Sequence, residues 1–341
     1  MKGFKMKKLY CARVPSNIAF LKYWGKKNSQ LQIPANNSLS MTLSNSYTET
    51  EASTIDGNQH ELFYNKERLE VNAPFAQKVS THLNTLSQHL KINSKLRIVT
   101  QNSFPSGCGI ASSASGLGAL TLSALSAWLD CRSIEDLEKK GFCLEKIASL
   151  ARLGSGSACR SFFSGFTLWE KEGKVTELFN SKHWQLADTI VLISPETKLI
   201  SSTEAHKLAW TSPLYSIRLA QIEEREKKIK TAISKKDLNQ LGPLLEQEAL
   251  EMHSIIMTSC PSVQYLNQAS LDFLSWFIKE RNSRSLPAYF TIDAGPNIHI
   301  ISEKFFQKTL IASLKKKCSN YAIIPDHTGE GVKLWQKDTT N

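Results

Sequence analysis

A chain of 341 residues with 41% hydrophobic side chains can bury one large core or two ordinary ones, which excludes a disordered or fibrous protein. With 42 Lys and Arg against 31 Asp and Glu the formal charge is +11, which calls for an anionic partner, either a polyanionic small molecule or a nucleic acid. No apolar run approaches the roughly 18 residues of a membrane helix, and the 7 cysteines lack any Cys-x-x-Cys, so neither a membrane span, a disulfide framework nor a zinc site is expected.

The basic segment 1 to 8 looks like the start of a signal peptide, but no apolar stretch follows it, so a cytoplasmic location is expected. Residues 9 to 64 read as strands and turns, and residues 73 to 90 carry a helical pattern. A strand at 96 to 100 leads into a small-residue loop, 102 to 109, which opens a helix running to about 129; strand, glycine loop, helix is a phosphate-binding order. Ser133 with Asp136 predicts a capping box for one helix that runs toward Leu153 and stops at Gly154. Strands at 166 to 170 and 189 to 194 precede three amphipathic helices within 213 to 281. Short apolar strands at 288 to 292 and 298 to 302 flank the turn Asp293-Ala294-Gly295-Pro296-Asn297, and a last helix and strand follow. The class is α+β in two parts, 1–186 and 187–341, the first an α/β unit that would bind nucleotide.

Within Glu223-Glu224-Arg225-Glu226-Lys227-Lys228 acids and bases alternate at helical spacing, which describes a solvated helix face. No nucleic-acid recognition motif or aromatic platform accompanies the positive charge, so an anionic small molecule is the expected partner; a non-enzymatic RNA-binding protein is the rival of another class, distinguished by salt-sensitive RNA binding.

Four segments could carry chemistry. In Phe104-Pro105-Ser106-Gly107-Cys108-Gly109-Ile110-Ala111-Ser112-Ser113-Ala114-Ser115-Gly116 the small side chains let backbone N–H groups approach an anion, and the helix start adds its positive end. Ser112 and Ser113 can offer hydroxyls to phosphate oxygens or magnesium. Tight helix packing explains the same composition, and no Walker pattern occurs. Gly154-Ser155-Gly156-Ser157-Ala158-Cys159-Arg160-Ser161 is a second small-residue loop whose arginine either grips a carboxylate or phosphate or is a surface residue beyond a helix cap. Pro15-Ser16-Asn17-Ile18-Ala19-Phe20-Leu21-Lys22-Tyr23-Trp24-Gly25-Lys26-Lys27 sets two lysines four apart beside aromatics, a pattern that snorkelling surface lysines also give. Asp293, at a strand end before a glycine turn, is either functional or bonded to the turn's own backbone.

Taken together, Lys22-Tyr23-Trp24-Gly25-Lys26, Ile110-Ala111-Ser112-Ser113-Ala114, Gly154-Ser155-Gly156-Ser157-Ala158-Cys159-Arg160 and Asp293-Ala294-Gly295-Pro296-Asn297 resemble, in order and spacing, the signatures of the mevalonate diphosphate decarboxylases. These belong to the superfamily of galactokinase, homoserine kinase, mevalonate kinase and phosphomevalonate kinase. The resemblance implies an N-terminal α/β domain packed on a smaller α+β domain with the active site between them, and a homodimer. It implies ATP and Mg2+, and mevalonate 5-diphosphate as substrate, phosphorylated at C3 and decarboxylated to isopentenyl diphosphate.

By the same resemblance Asp293 would act on the C3 hydroxyl with Lys22 beside it, and Arg160, Ser155 and Ser157 would hold the carboxylate and diphosphate end. Tyr23, Lys26 and Ser202 would fix the diphosphate, while Pro105, Ser106, Gly107, Cys108, Gly109, Ser112 and Ser113 would cradle the nucleotide, Ser113 nearest the metal. Two departures stand out. The loop reads Pro105-Ser106-Gly107-Cys108-Gly109 where the family usually has Pro-Thr-Ala-Ala-Gly, and the family's usual Gly-Met pair is absent around Thr203-Glu204-Ala205-His206. A mevalonate 5-phosphate decarboxylase or a mevalonate 3-kinase of the same superfamily is the nearest alternative.

Overall fold

In the computed structural model, which describes residues 7–105, 112–194 and 200–339, the chain opens with strand β1 (Lys7–Leu21), a two-stranded ribbon of β2 (Lys26–Asn28) and β3 (Ile33–Pro34), and the long strand β4 (Ser38–Ile55). Strands β5 (Glu61–Tyr64) and β6 (Glu67–Arg68), helix α1 (Pro74–Leu90) and strand β7 (Lys95–Asn102) follow. β7 buries alternate residues, Leu96, Ile98 and Thr100, as a half-covered strand must. Pro74 begins α1, where a missing N–H costs nothing, and Ala76, Val79, Leu83 and Leu86 form its inward stripe. β5 and β7 are parallel and joined through α1, and the other pairings in this sheet are antiparallel.

Helix α2 (Ser112–Leu129), rich in Ala, Ser, Gly and Leu, packs on β1 and β4 and is buried along most of its length. The single helix expected after Ser133 is two, α3 (Ile134–Lys139) and α4 (Leu144–Gly154), because the backbone turns at Gly141 with φ 81°. Ser133 does accept the Asp136 N–H, but the Asp136 carboxylate takes the N–H of Arg132, so the reciprocal half of the expected box lies one residue earlier. A 3-10 turn, Gly156–Phe162, then leads to β8 (Phe166–Trp169) and β9 (Val175–Phe179), the latter not expected from sequence.

Strand β10 (Leu186–Leu192) starts a second sheet, and helices α5 (Ser202–Leu208), α6 (Tyr215–Lys235), α7 (Leu238–Met257) and α8 (Gln268–Arg284) follow. Strands β11 (Ala288–Thr291) and β12 (Ile298–Glu303), helix α9 (Gln307–Lys317) and strand β13 (Ala322–His327) complete it in the order β11-β12-β10-β13. The final strand, β14 (Lys333–Thr339), returns to the first sheet and pairs antiparallel with β1, from Lys7 opposite Thr339 to Arg13 opposite Lys333. The expected division between 186 and 187 falls at the start of β10, and β14 crosses back over it.

Each part has its own apolar cluster, one around Val14, Ile98, Leu122 and Leu150, the other around Phe273, Phe277, Phe290 and Ile300. A third cluster joins them: Ile18, Phe20 and Leu21 of β1 meet Leu186 and Ile190 of β10, Ile222 and Ile229 of α6, and Leu241 and Leu245 of α7. Consecutive burial in β1 is possible because its register with β4 shifts twice, between Pro15 and Asn17 and between Ala19 and Leu21. The bulged stretch ends one residue before Lys22.

Candidate active site

Lys22 is delivered into a cleft by the end of β1 and is 1% exposed. Its backbone is held from below: the N–H donates to Glu248 Oε2 at 2.8 Å, and the carbonyl accepts from Arg218 Nη2 at 3.2 Å and Asn36 Nδ2 at 3.0 Å. Glu248 lies on α7 with no exposed surface, between Arg218 and Arg225 of α6, and both arginines also pair with Glu251. Burial pushes the Glu248 carboxyl up, but the two guanidiniums outweigh it and keep it ionised.

The ammonium of Lys22 donates to Ala19 O at 2.7 Å and to Asp293 Oδ1 at 2.7 Å. Asp293 stands in the turn between β11 and β12, where its own carbonyl accepts the Gly295 N–H at 2.7 Å and is bonded to His253 Nε2 at 3.1 Å. The turn is therefore stitched by backbone, and the carboxylate is left to the lysine and the cleft, with 29% of the side chain exposed. Burial tends to raise the Asp293 pKa, but the charge and hydrogen bond of Lys22, helped by His299 and Arg160, hold it below the usual carboxylate range.

Arg160 comes from the 3-10 turn after α4 and is 3% exposed. Asn17 Oδ1 receives its Nε at 3.3 Å and its Nη2 at 3.1 Å, and Asn17 in turn donates to Ser161 Oγ at 2.8 Å. Nη1 is buried with no hydrogen-bond partner among the described residues, which leaves one edge of the guanidinium able to take a further acceptor. Both Asp293 and Arg160 line the same cleft.

The other residues singled out from sequence for substrate gather there too: Tyr23, Lys26, Ser155, Ser157 and Ser202 all line it, and Ser113 reaches its edge. Tyr23 packs edge-on against Trp169 at 4.7 Å between ring centroids, and its buried hydroxyl has no partner among the described residues. That packing requires Gly156, since a Cβ there would come within 2.9 Å of the Tyr23 ring. Ser155 Oγ lies 3.4 Å from both Ser113 Oγ and Ser157 Oγ. Lys26 has no carboxylate partner among the described residues, and burial, then the charges of Lys207 and Lys78, lower its pKa to about 8.

Of the expected nucleotide residues, Ser106, Gly107, Cys108 and Gly109 lie outside the described residues. Pro105 is exposed and does not line the cleft, and Ser112 is the first residue of α2. A second, apolar hollow adjoins the cleft through Ser113; it is walled by Tyr64, Leu69, Phe75 and Val79, with Lys78, Thr100 and Asn102 at its polar points. Sequence reasoning missed this hollow because β4, β5, α1, β7 and α2 each give it only one to three side chains.

Asn17 and His206 were missed as well. Asn17 stands inside a quoted segment, but its role depends on Arg160, far along the chain. His206 sits on α5, an unexpected helix whose signal was written in the sequence: Ser201 and Glu204 form a complete capping box.

Two family models cover most of the chain, one described as the diphosphomevalonate decarboxylase-like N-terminal domain over residues 14–179 and one as the mevalonate 5-diphosphate decarboxylase C-terminal domain over residues 189–337. The diphosphomevalonate decarboxylase of Candida albicans is 31% identical over 331 residues, spanning 90% of this chain and 88% of the relative. That of Saccharomyces cerevisiae is 32% identical, spanning 85% and 77%. Among solved structures, one described as MDDEF in complex with MVAPP, AMPPCP and magnesium superposes with a TM-score of 0.87 at 32% identity, covering 98% of this chain and 100% of the other. The mevalonate diphosphate decarboxylase of Staphylococcus aureus gives 0.86 at 33% identity, covering 97% and 98%.

Proposed function

This chain belongs to the diphosphomevalonate decarboxylases, which use ATP to convert mevalonate 5-diphosphate to isopentenyl diphosphate, and on that premise we propose how its residues divide the work. The C3 hydroxyl lies against Asp293, which takes its proton as the γ-phosphoryl group of ATP bonds to the oxygen and ADP leaves. Lys22 keeps Asp293 ionised and offsets negative charge on the group in transfer. The C3–O bond then breaks with phosphate as leaving group, and the electron pair of the C1–C2 bond forms the C2–C3 double bond as carbon dioxide departs.

Arg160, through the unpaired Nη1, holds the carboxylate end together with Ser155 and Ser157, while Tyr23, Lys26 and Ser202 receive the diphosphate. The nucleoside occupies the apolar hollow beside Ser113, so that its phosphates reach the cleft past the start of α2. The neutral hydroxyls of Ser113 and Ser155, 3.4 Å apart, suit a hard cation that brings most of its ligands with the nucleotide. Magnesium, when bound, neutralises phosphate oxygens of the transferring group.

The observation that carries the assignment is the 2.7 Å contact of Lys22 Nζ with Asp293 Oδ1, in a cleft that Arg160 also lines. Measuring ADP and carbon dioxide together, with mono- and diphosphorylated mevalonate, tests it. Equal amounts of both products from the diphosphate are expected. Turnover of the monophosphate alone, or ADP without carbon dioxide, would replace it with the phosphomevalonate or 3-kinase reading. The six described cysteines are free thiols, which supports a cytoplasmic location. The homodimer implied by the family is to be read from light scattering.

A further inference from the structure

His206 is 7% exposed, on the inner side of α5. Its Nδ1 accepts the backbone N–H of Gly25 at 3.0 Å, and in a neutral ring that puts the proton on Nε2. The imidazole lies against two neighbouring rings, Tyr23 at 4.2 Å and Trp24 at 4.3 Å between centroids, so its plane is fixed. Nε2 has no hydrogen-bond partner among the described residues, and the residue lines the cleft with Lys26 and Arg160. Burial first, then the charges of Lys26 and Arg160, hold its pKa well below the usual histidine range. A protonated ring would also set a second N–H against that of Gly25.

The result is a donor of known direction among cations, present without any added charge. The family's usual Gly-Met pair is absent around Thr203-Glu204-Ala205-His206, and the histidine there brings a ring N–H donor. We propose that His206 is a specificity-determining residue of the substrate site, its Nε2–H donating to an oxygen of the diphosphate beside Lys26. The inference rests on the assignment of the diphosphate to Tyr23, Lys26 and Ser202 made above.

Three substitutions test it. His206→Asn keeps an acceptor for the Gly25 N–H but loses the outer donor; His206→Met loses both; His206→Gln keeps an amide N–H near the Nε2 position. Loss of one hydrogen bond to a charged group predicts a rise of about tenfold or more in KM for mevalonate 5-diphosphate in the Asn and Met variants, with kcat and the KM for ATP within about twofold. The Gln variant is expected within about threefold of the parent. An unchanged KM in His206→Asn, or a loss that His206→Gln does not rescue, overturns the proposal. Lys26→Met run in parallel separates the two readings: if it raises KM and His206→Asn does not, only the histidine's role falls, and if neither does, the diphosphate lies elsewhere.

Discussion

Glu248, fully buried on α7, accepts the backbone N–H of Lys22 at 2.8 Å. The position of the lysine that meets Asp293 is therefore set by an ion cluster of two arginines and two glutamates that never touches the cleft.

Glu248→Ala leaves Arg218 and Arg225 to share the carboxylate of Glu251 and strips the Lys22 N–H of its acceptor. Breaking a buried ionic network from one side costs about 3 to 5 kcal/mol, which denaturant unfolding reads directly. A loss below about 1 kcal/mol would mean that water or a neighbour takes the place of the carboxylate.

Asp293→Asn preserves shape and removes the base. Turnover should drop by about a thousandfold while the substrate dissociation constant shifts only a few-fold. Single-turnover kinetics with a binding titration check both halves, and near-normal turnover rejects the role given to this carboxylate.

Asn17→Ala takes away the acceptor shared by Nε and Nη2 of Arg160. A guanidinium left without that anchor turns away from its one useful direction. We expect kcat/KM to fall about 10- to 100-fold, with an intact fold by circular dichroism.

Lys26 supplies a pH effect. Its free ammonium is lowered to about 8, chiefly by burial and then by Lys207 and Lys78. In the proposed role the diphosphate binds the charged form, so affinity is full below that pH and is lost as pH rises through it, by up to about tenfold per unit. The logarithm of KM against pH should bend upward near 8 in the parent and stay flat in Lys26→Met. A parent curve flat to pH 9.5 would disprove the contact.

Residues that lie close in sequence made the lining of the cleft legible. Lys22, Tyr23 and Lys26 share one segment, Ser155, Ser157 and Arg160 another, and their small or charged neighbours mark them. Partners brought together by the fold left no such mark. Arg218 and Glu248 look like ordinary residues of amphipathic helices, and Asn17 becomes an anchor only where the 3-10 turn returns Arg160 to it. The break at Gly141 was missed because α3 and α4 share one apolar rhythm. α5 was missed because seven residues are too few for periodicity to speak, although its cap was plainly written.

The pairing of β14 with β1 bears on biosynthesis. Strand β1 meets this one of its two neighbours only after the whole of the second sheet has been made, so a nascent polypeptide carries an open, pairing-competent edge through that interval. Polypeptides truncated before Lys333 should accumulate in inclusion bodies or on chaperones even when every catalytic side chain is already present.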